Sequence, residues 1–446
     1  MLNLNPYLTQ FHDRLDTRSI RIERDAIEHG LADLKQHLPA GLWVMVVDEN
    51  TWRVAGEKLA SVLDTAGLHW VRWDVPLLDG EDHPMCDDVR VDACQHVLES
   101  SGAVAAIAVG SGTINDVAKL SAFRLGIPMA CVGTAPSMNG FTSGIAAVLS
   151  QGVKTTIPCT APKVVIADVD VMAESPARMI QSGLGDLLSK PVSNSDWALS
   201  ALLTGSHFSN EAMTIIEAGS ELLDDVAAKL PERDRIAVAR LVGSLMLSGL
   251  AMSVAGSSSP ASGGEHLISH FIDMTAHAYD LPYDFHGCQV GVGTLTTAFL
   301  YEKLKALDPS KIDIEARVAA LEPWETYRST LQVRFGVLFD AVERHAEPGY
   351  PTPELLTERL QTVVARWDEL MVGISRTLRT EASIEAELRA AECPLRFKDL
   401  GIDRERARAA ILHSKDIRNR YTILHLSWEL GLLDEWGDEA LNLLWD

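Results

Sequence analysis

Gly110-Ser-Gly-Thr-Ile-Asn-Asp-Val-Ala-Lys119 follows the apolar run 103–109, which is typical of a buried strand. Gly110 and Gly112 allow a tight turn, and the pattern predicts that a helix begins at Asn115 and Asp116. A strand, a glycine turn and a helix N-terminus together favour a bound anion, because the first N–H groups of a helix have no intrahelical partner. The stretch is neither a Gly-x-Gly-x-x-Gly fingerprint nor a Walker loop, and a purely structural turn is the alternative.

Composition and charge narrow the class of protein. The chain has 446 residues, enough for two domains or more, and a formal net charge of −23. That charge argues against nucleic acid or an anionic membrane surface as a partner, since both require a basic patch. Six cysteines without disulfide-framework spacing predict free thiols and a cytoplasmic location. No signal peptide and no membrane insertion are expected.

Strand and helix patterns alternate over the first 170 residues and then give way to helical periodicity alone. The predicted strands are 42–47, 69–73, 103–109, 129–132 and 164–167, and the predicted helices between them include 57–66 and 88–100. We therefore expect an α/β domain at 1–174, Rossmann-like with a mostly parallel sheet, followed by an all-α domain at 175–446. The carboxyl ends of the strands should bring Asp48, Gly110–Asp116 and Thr134–Ser137 to one crevice.

The helical half contains side chains that are suited to a metal. Asp186 follows a glycine pair at a predicted helix start, His266 and His270 lie four apart on one predicted helix face, and His286 is in a predicted turn. One carboxylate and two imidazoles form an open site for a divalent metal. Each position also has a structural interpretation: Asp186 as a helix cap, His266 as a core histidine and His286 as a turn residue.

Six motifs resemble those of one family. They are Gly110–Asp116, Thr134–Ser143, Gly185–Lys190, Glu265-His266, Phe285–Gly287 and Arg418–Thr422. In this order they resemble the sn-glycerol-1-phosphate dehydrogenases, a branch of the iron-containing alcohol dehydrogenase and dehydroquinate synthase-like superfamily. The resemblance covers roughly residues 40–300 and the C-terminal tail, and the segment 303–395 matches no motif of the family.

The resemblance implies the dehydroquinate synthase-like fold, a nicotinamide cofactor and one metal ion. The implied cofactor contacts are Gly110, Ser111, Gly112, Thr113, Ile114, Asn115, Asp116, Thr134, Ala135, Pro136, Ser137 and Ser143. Asp48 would face the adenosine ribose, which favours NAD, while NADP and a capping role for Asp48 are alternatives. The implied metal ligands are Asp186, His266 and His286. Family members are often dimers or larger, so a homo-oligomer is expected.

Two positions depart from the family pattern. Lys190 stands where the iron-dependent sister enzymes have a histidine ligand, and a protonated lysine has no lone pair for a metal. The site should therefore have three protein ligands and suit zinc, with nickel or iron as alternatives. Lys190 either meets a substrate phosphate or is a solvated helix lysine. Asn139 stands where the family usually has aspartate, and is implied to contact substrate together with Asp186, Lys190 and His270.

The expected reaction is the reversible reduction of dihydroxyacetone phosphate, or a related phosphorylated ketose, to sn-glycerol 1-phosphate or a related alcohol. Asp186 and His270 are the implied catalytic residues: a divalent cation lowers the pKa of the alcohol, and His270 is placed to relay its proton. Three alternatives stay open at this point. They are a dehydrogenase of unphosphorylated polyols, a dehydroquinate synthase-like cyclase and a non-catalytic binding protein.

Overall fold

The computed structural model describes residues 2–78, 81, 83–150 and 153–445, and the chain divides into two compact units. Unit 1 comprises residues 1–187 and 211–257, and unit 2 comprises residues 188–210 and 258–446. The predicted domains, 1–174 and 175–446, follow the change from strands to helices. The units instead follow contacts, which place the helical residues 175–187 and 211–257 with the sheet.

All strands of the described residues belong to unit 1. They are β1 Ser19–Glu23, β2 Trp43–Val47, β3 Trp70–Asp74, β4 Ala105–Val109, β5 Met129–Gly133, β6 Ile145–Ser150, β7 Val153–Pro158 and β8 Val164–Asp168. Six of them form a parallel sheet in the order β1-β8-β5-β4-β2-β3, and β6 pairs with β7 as an antiparallel hairpin. Every residue of β2, β4, β5 and β8 is buried, as expected of parallel strands covered on both faces.

The helices of the described residues run through both units. In chain order they are α1 Asn5–Gln10, α2 Ala26–His29, α3 Leu31–His37, α4 Glu49–Thr51 with the π-turn Trp52–Gly56, α5 Glu57–Thr65, α6 Asp88–Ser100, α7 Gly112–Leu125, α8 Val169–Glu174, α9 Ala177–Leu188, α10 Lys190–Thr204, α11 Asn210–Glu221, α12 Arg235–Ala255, α13 Gly264–Tyr279, α14 His286–Ala306, α15 Ile314–Ala319, α16 Trp324–Phe335, α17 Phe339–Gly349, α18 Pro353–Ala365, α19 Trp367–Ser375, α20 Glu381–Ala390, α21 Arg404–His413, α22 Ile423–Glu429 and α23 Leu433–Leu443. Unit 2 is wholly helical between these bounds, apart from short connections.

The predicted fold class is confirmed: a parallel α/β sheet precedes a helical region. Each predicted strand is present within two residues of its expected bounds, and the helix predicted at 88–100 has those bounds. The sequence interpretation missed β1 and the hairpin β6–β7. β1 is an edge strand whose one strand partner is β8, besides an isolated bridge from Ile22 to Leu2. Its polar residues alternate with apolar ones, so no continuous apolar run marks it.

α12 is the only helix of the described residues that is long and apolar enough to cross a membrane, with a mean hydropathy of 1.6. However, 78% of that segment is buried inside the protein. A helix that is apolar on every side is typical of the core of a large protein. α12 also supports a loop of unit 1, since Thr142 Oγ1 donates to the Met246 carbonyl at 2.6 Å.

Candidate active site

The predicted crevice of unit 1 lies at the carboxyl edge of the parallel sheet. Asp48 follows β2, Gly110 follows β4 and Thr134 follows β5, and these three strands are neighbours in the sheet. The chain continues from β2 to β3 on one side, whereas β4 lies on the other side of β2. Ligands of doubly wound sheets bind where the strand order reverses in this way. The topology therefore brings together the three loops that the sequence predicted.

Two of these loops are hydrogen-bonded to each other through buried serines. Ser111 Oγ lies 2.5 Å from Ser137 Oγ and donates to the Ala135 carbonyl at 3.1 Å. The turn before Ser111 requires glycine, because a Cβ on Gly110 would lie 2.5 Å from the Ile114 Cβ. The two loops consequently form one surface with a fixed backbone.

α7 begins at Gly112, three residues before the predicted start at Asn115, because the glycine turn itself adopts helical geometry. Its first N–H groups therefore lie beside Ser111 and the β4 end. A Cβ on Gly112 would have only Met138 Cγ near it, at 3.7 Å, so the helix start is bare backbone facing open space. The Asn115 Oδ1 atom is buried without a hydrogen-bond partner among the described residues. A bare helix N-terminus beside an unused acceptor fits a dinucleotide pyrophosphate and its neighbouring groups.

Asn115 and Asp116 also hold the surrounding loops. Asp116 does so together with Lys119, which sequence analysis did not single out. The fully buried Lys119 Nζ donates to Asp116 Oδ1 at 3.1 Å and to the carbonyls of Gly140 and Ile145, each at 2.8 Å. Asp116 Oδ2 accepts from the Ala147 N–H at 3.0 Å. Asp116 thus fixes the hairpin and the loop at 140–145 relative to α7. The sequence feature that could have identified Lys119 is its position as a cation on an otherwise apolar helix face.

Asp48 caps α4. Its carboxylate accepts from the Thr51 N–H at 2.7 Å, and the Thr51 hydroxyl accepts from the Asp48 N–H at 2.9 Å. This reciprocal pair is a capping box, which confirms the alternative that the sequence left open. Contact with a ribose stays a prediction for this residue.

Asp186 lies near the end of α9, so the expectation of a helix start at this position was wrong: α9 begins at Ala177. The carboxylate is 1% exposed, and Asn139 Nδ2 donates to its Oδ1 at 3.4 Å. Asn139 Nδ2 also lies 3.3 Å from Ser248 Oγ. Two of the predicted substrate contacts, Asn139 and Asp186, are therefore adjacent within unit 1.

Gly183, three residues before Asp186, has a packing role. A Cβ on Gly183 would lie 1.8 Å from the Pro136 carbonyl oxygen, so only glycine lets α9 approach the 134–137 loop this closely. Ser182 Oγ donates to the Ser137 carbonyl at 3.0 Å. α9 is thereby fixed against a loop that the resemblance assigns to the cofactor.

The three histidines lie together in unit 2. His266 and His270 are on α13, as predicted, and their rings are 6.1 Å apart. His286 is the first residue of α14, not part of a free turn, and its ring is 5.1 Å from that of His266 and 5.5 Å from that of His270. His266 and His270 are buried, 5% and 8% exposed respectively.

Two of these imidazoles are oriented by neighbours on α13. His266 Nδ1 lies 2.8 Å from Glu265 Oε1, and His286 Nδ1 lies 3.1 Å from Ser269 Oγ. The Glu265 carboxylate can only accept, so it favours a proton on His266 Nδ1 and leaves Nε2 as the metal-binding nitrogen, an arrangement common around zinc. The Ser269 hydroxyl orients the His286 ring through Nδ1. The donor set therefore fits a divalent metal. No group of three or more His, Cys, Asp or Glu side chains in the part of the chain that the structure describes forms a metal cluster as it stands.

Lys190 is buried at the start of α10, only 2% exposed, so the alternative of a solvated helix lysine was wrong. Its Nζ donates to the Ala261 carbonyl at 3.0 Å and lies 3.3 Å from Ser189 Oγ. The segment 258–262 that it holds leads directly into α13 and the histidines.

Asp196 is a buried carboxylate that sequence analysis missed, because nothing in its local sequence marks it. It accepts from Tyr301 Oη at 2.6 Å and from the N–H groups of Gly264 and Ile423 at 2.7 and 2.6 Å. Burial, and then the charge of Glu265, raise the pKa of Asp196 to about 7. Asp196 therefore fixes the start of α13 from inside unit 2.

Comparison with known proteins supplies the family. The model of the iron-containing alcohol dehydrogenases matches residues 21–176. The glycerol-1-phosphate dehydrogenase [NAD(P)+] of Bacillus licheniformis is 30% identical over 430 residues, covering 95% of this chain and 91% of that protein. The chain belongs to the glycerol-1-phosphate dehydrogenase family.

Other comparisons agree with membership of the glycerol-1-phosphate dehydrogenase family. The glycerol-1-phosphate dehydrogenase [NAD(P)+] of Methanococcoides burtonii is 35% identical over 258 residues, covering 58% of this chain and 69% of that protein. The crystal structure of a probable glycerol dehydrogenase from Sinorhizobium meliloti superposes with a TM-score of 0.60 at 17% identity, covering 95% and 98% of the two chains. At that identity the likeness shows the fold, which is dehydroquinate synthase-like as the resemblance implied.

Proposed function

We propose that this protein reversibly reduces dihydroxyacetone phosphate, or a closely related phosphorylated ketose, to sn-glycerol 1-phosphate or the related alcohol with NADH or NADPH. The observation that carries the proposal is the 30% identity to a glycerol-1-phosphate dehydrogenase [NAD(P)+] over 91% of its length. The reaction needs a seat for the cofactor, an electrophile for the carbonyl oxygen and a path for one proton.

The cofactor seat is proposed at the start of α7. The N–H groups of Gly112, Thr113 and Ile114 would hold the pyrophosphate, and Asn115 Oδ1 would accept from a neighbouring donor. Thr134, Ala135, Pro136, Ser137 and Ser143 would line the seat, and Asp48 would receive the ribose hydroxyls. Gly110 and Asp116 support it by the backbone turn and by the ion pair with Lys119.

A divalent metal, zinc in this proposal with nickel or iron as alternatives, would be held by Asp186, His266 and His286. When bound, the metal supplies Lewis acidity toward the alcohol oxygen. Glu265 would keep His266 in the metal-binding tautomer, and Ser269 would orient the ring of His286, in each case through Nδ1. Asp186 contributes the negative charge that a divalent cation requires.

The remaining steps belong to this chain's own side chains. His270 would take the alcohol proton, or return it in the opposite direction, because its ring stacks beside that of His286 at 5.5 Å. Asn139 would orient the substrate hydroxyl with its amide, next to Asp186. Lys190 would act through charge and through the segment 258–262 that it holds.

An unphosphorylated polyol is the second candidate substrate. It is included in the assay because Asn139 stands where the family usually has aspartate, so the substrate contacts at this position can differ. The purified metal-replete protein is assayed for NADH oxidation with dihydroxyacetone phosphate, dihydroxyacetone and a panel of ketose phosphates. Zinc, nickel, iron and metal-free samples are compared. The His266→Ala variant should retain NAD binding and lose turnover. Product formation without net NADH change would favour a cyclase, and absence of turnover with every substrate and metal contradicts the proposal.

The cellular setting is proposed from the same family membership. We place the protein in the cytoplasm as a homo-oligomer that acts on a small molecule. Size-exclusion chromatography with light scattering tests the oligomer, and a single-chain mass at micromolar concentration contradicts it.

A further inference from the structure

A polar cavity lies within unit 2, apart from the residues described above as metal ligands. Its volume is about 330 Å³, at the lower end of the range of ligand sites. The residues that matter to its chemistry are Asp196, Ser206, Ser262, Arg359, Asn419 and Arg420. The space suits a ligand of a few carbon atoms with a polar group, and is too small for a dinucleotide.

Arg420 is a cation without an anionic partner. Its Nη1 donates to the Ser262 carbonyl and its Nη2 to Ser258 Oγ, each at 2.6 Å. It forms no salt bridge within the described residues. Burial lowers the pKa of the guanidinium, and the more distant charges of Glu265 and Asp196 oppose that effect only in part. A half-buried guanidinium whose partners are neutral favours an anion beside it.

A second guanidinium offers a further donor to the same cavity. Arg359 Nη1 pairs with Glu429 Oε1 at 2.6 Å, which balances its charge. Its Nε is buried and has no hydrogen-bond partner among the residues described. This N–H is held in place by the ion pair, because Glu429 is itself fixed by Tyr421 Oη at 2.6 Å. It is therefore a preset donor rather than a mobile one.

The acidic residue that lines the cavity does not make it a cation site. Asp196 already accepts three hydrogen bonds, from Tyr301 and from two backbone N–H groups. These donors occupy most of its lone-pair sites, and a single carboxylate does not provide the oxygen ligands that a hard cation needs. Hydroxyl and amide groups of Ser200, Thr204, Ser206 and Asn419 complete the lining with neutral donors.

We propose that this cavity binds a phosphate monoester, with Arg420 as its principal cation. The guanidinium fork matches phosphate oxygens, and the Arg359 Nε–H and nearby hydroxyls supply the remaining hydrogen bonds. The assignment of that phosphate to a three-carbon substrate or product rests on the proposed function. The binding of phosphate itself does not.

The segment 258–262 links the cavity to α13, the helix that carries His266 and His270. Arg420 and Lys190 both hold residues 258–262, at Ser258, Ala261 and Ser262. The next residues begin α13, which carries His266 and His270. A phosphate on Arg420 would therefore balance the charge that orders this segment.

The test titrates inorganic phosphate into the full-length, zinc-loaded protein by calorimetry. We expect one phosphate per chain, and at least a tenfold weaker dissociation constant for Arg420→Gln. Arg317→Gln is the matched control, because Arg317 also donates to backbone carbonyls, those of Glu429 and Trp428, but does not line the cavity. It should bind phosphate like the native protein.

A second variant guards against a folding defect in Arg420→Gln. Ser206 is exposed at the cavity rim, so Ser206→Asp adds a repelling charge while leaving the Arg420 guanidinium intact. It should weaken phosphate binding as well. Native-like phosphate affinity in both Arg420→Gln and Ser206→Asp, or no phosphate binding by the native protein, overturns the proposal.

Kinetics identify the source of the phosphate. Inhibition by inorganic phosphate that is competitive with dihydroxyacetone phosphate indicates that the cavity takes the substrate's own phosphate. Noncompetitive inhibition indicates a separate phosphorylated ligand, and both results support the site. If the protein turns over no ketose phosphate yet still binds phosphate through Arg420, the proposed function fails and the cavity assignment stands.

Discussion

Ser111 and Ser137 lie with their hydroxyl oxygens 2.5 Å apart, so the loops after β4 and β5 form one continuous surface. Because both residues are buried, this contact is part of the fold and does not depend on a ligand. It brings two motifs that are separated in the sequence to one place in the fold.

Gly183→Ala should destabilise the protein by about 3 kcal/mol, because the added Cβ would lie 1.8 Å from the Pro136 carbonyl oxygen. It should also weaken NAD binding by displacing the 134–137 loop. Urea denaturation and NADH fluorescence measure the two effects. Gly219→Ala is the matched control in a helix of the same unit, where the nearest atom would be 3.4 Å away. Equal stability of the two variants contradicts the packing role of Gly183.

Asp48→Ala should lower the free energy of unfolding by about 1 kcal/mol through loss of the cap on α4. It should also raise the ratio of kcat/KM for NADPH to that for NADH about tenfold, because a carboxylate at the ribose repels a 2′-phosphate. Thr51→Val helps to separate the two roles, since it removes the hydroxyl that accepts from the Asp48 N–H but keeps the carboxylate and its bond from the Thr51 N–H. A changed cofactor ratio in Thr51→Val would assign Asp48 to capping alone.

Glu265→Gln should lower zinc affinity about 10- to 100-fold, because Glu265 fixes the His266 ring through Nδ1. Competition with a chromogenic chelator measures the affinity without reference to turnover. Glu302→Gln on α14 is a control that removes a carboxylate from an exposed position. Unchanged zinc affinity in Glu265→Gln would show that His266 is not a ligand or is not oriented by Glu265.

Asn139→Ala should raise KM for dihydroxyacetone phosphate roughly tenfold, the loss expected for one substrate hydrogen bond, while KM for NADH stays unchanged. Ser248→Ala removes a different neighbour of Asn139 and keeps the amide beside Asp186. Its KM should change less than about threefold if the amide itself contacts substrate. A similar rise in both variants would indicate that Asn139 acts only by packing.

Acid should destabilise unit 2 through His413. Burial, and then the charge of Arg334, lower the pKa of His413 to about 4 in the folded protein, whereas the unfolded chain has the ordinary value of 6.5. The unfolded state therefore binds more protons between these values, and the free energy of unfolding falls as the pH falls through that window. For this residue the loss between pH 7 and pH 5 is about 2 kcal/mol.

The His413→Gln variant should lose that part of the pH dependence. Urea denaturation at pH 7 and pH 5 measures it in both proteins. An unchanged difference between the two pH values would show that His413 is not buried in its neutral form.

Local sequence was sufficient for five of the six strands of the parallel sheet and for the residue types of the site. Continuous apolar runs predicted β2, β4, β5 and β8, since strands buried on both faces have no polar side to show. The edge strand β1 escaped because its alternating polar residues face partly outward. The i, i+4 spacing placed His266 and His270 on one helix face.

Residues that act by long-range contact were beyond local patterns. Ser269 is identifiable as the partner of His286 only once α13 and α14 are packed together. Lys190 appears exposed from its polarity, yet packing buries it against Ala261. Asp196 and Arg420 meet the start of α13 from distant parts of the chain.

By itself, the sequence determined the parallel α/β sheet, the glycine turn at its carboxyl edge and the metal-type side chains, because periodicity and local residue chemistry encode each of them. Only the tertiary structure decided that Ser111 is hydrogen-bonded to Ser137, that Gly183 packs against the Pro136 carbonyl and that Arg420 lacks an anionic partner. These relationships depend on burial and on distances between segments far apart in the chain. No local pattern specifies such distances, because they result from how helices and strands pack.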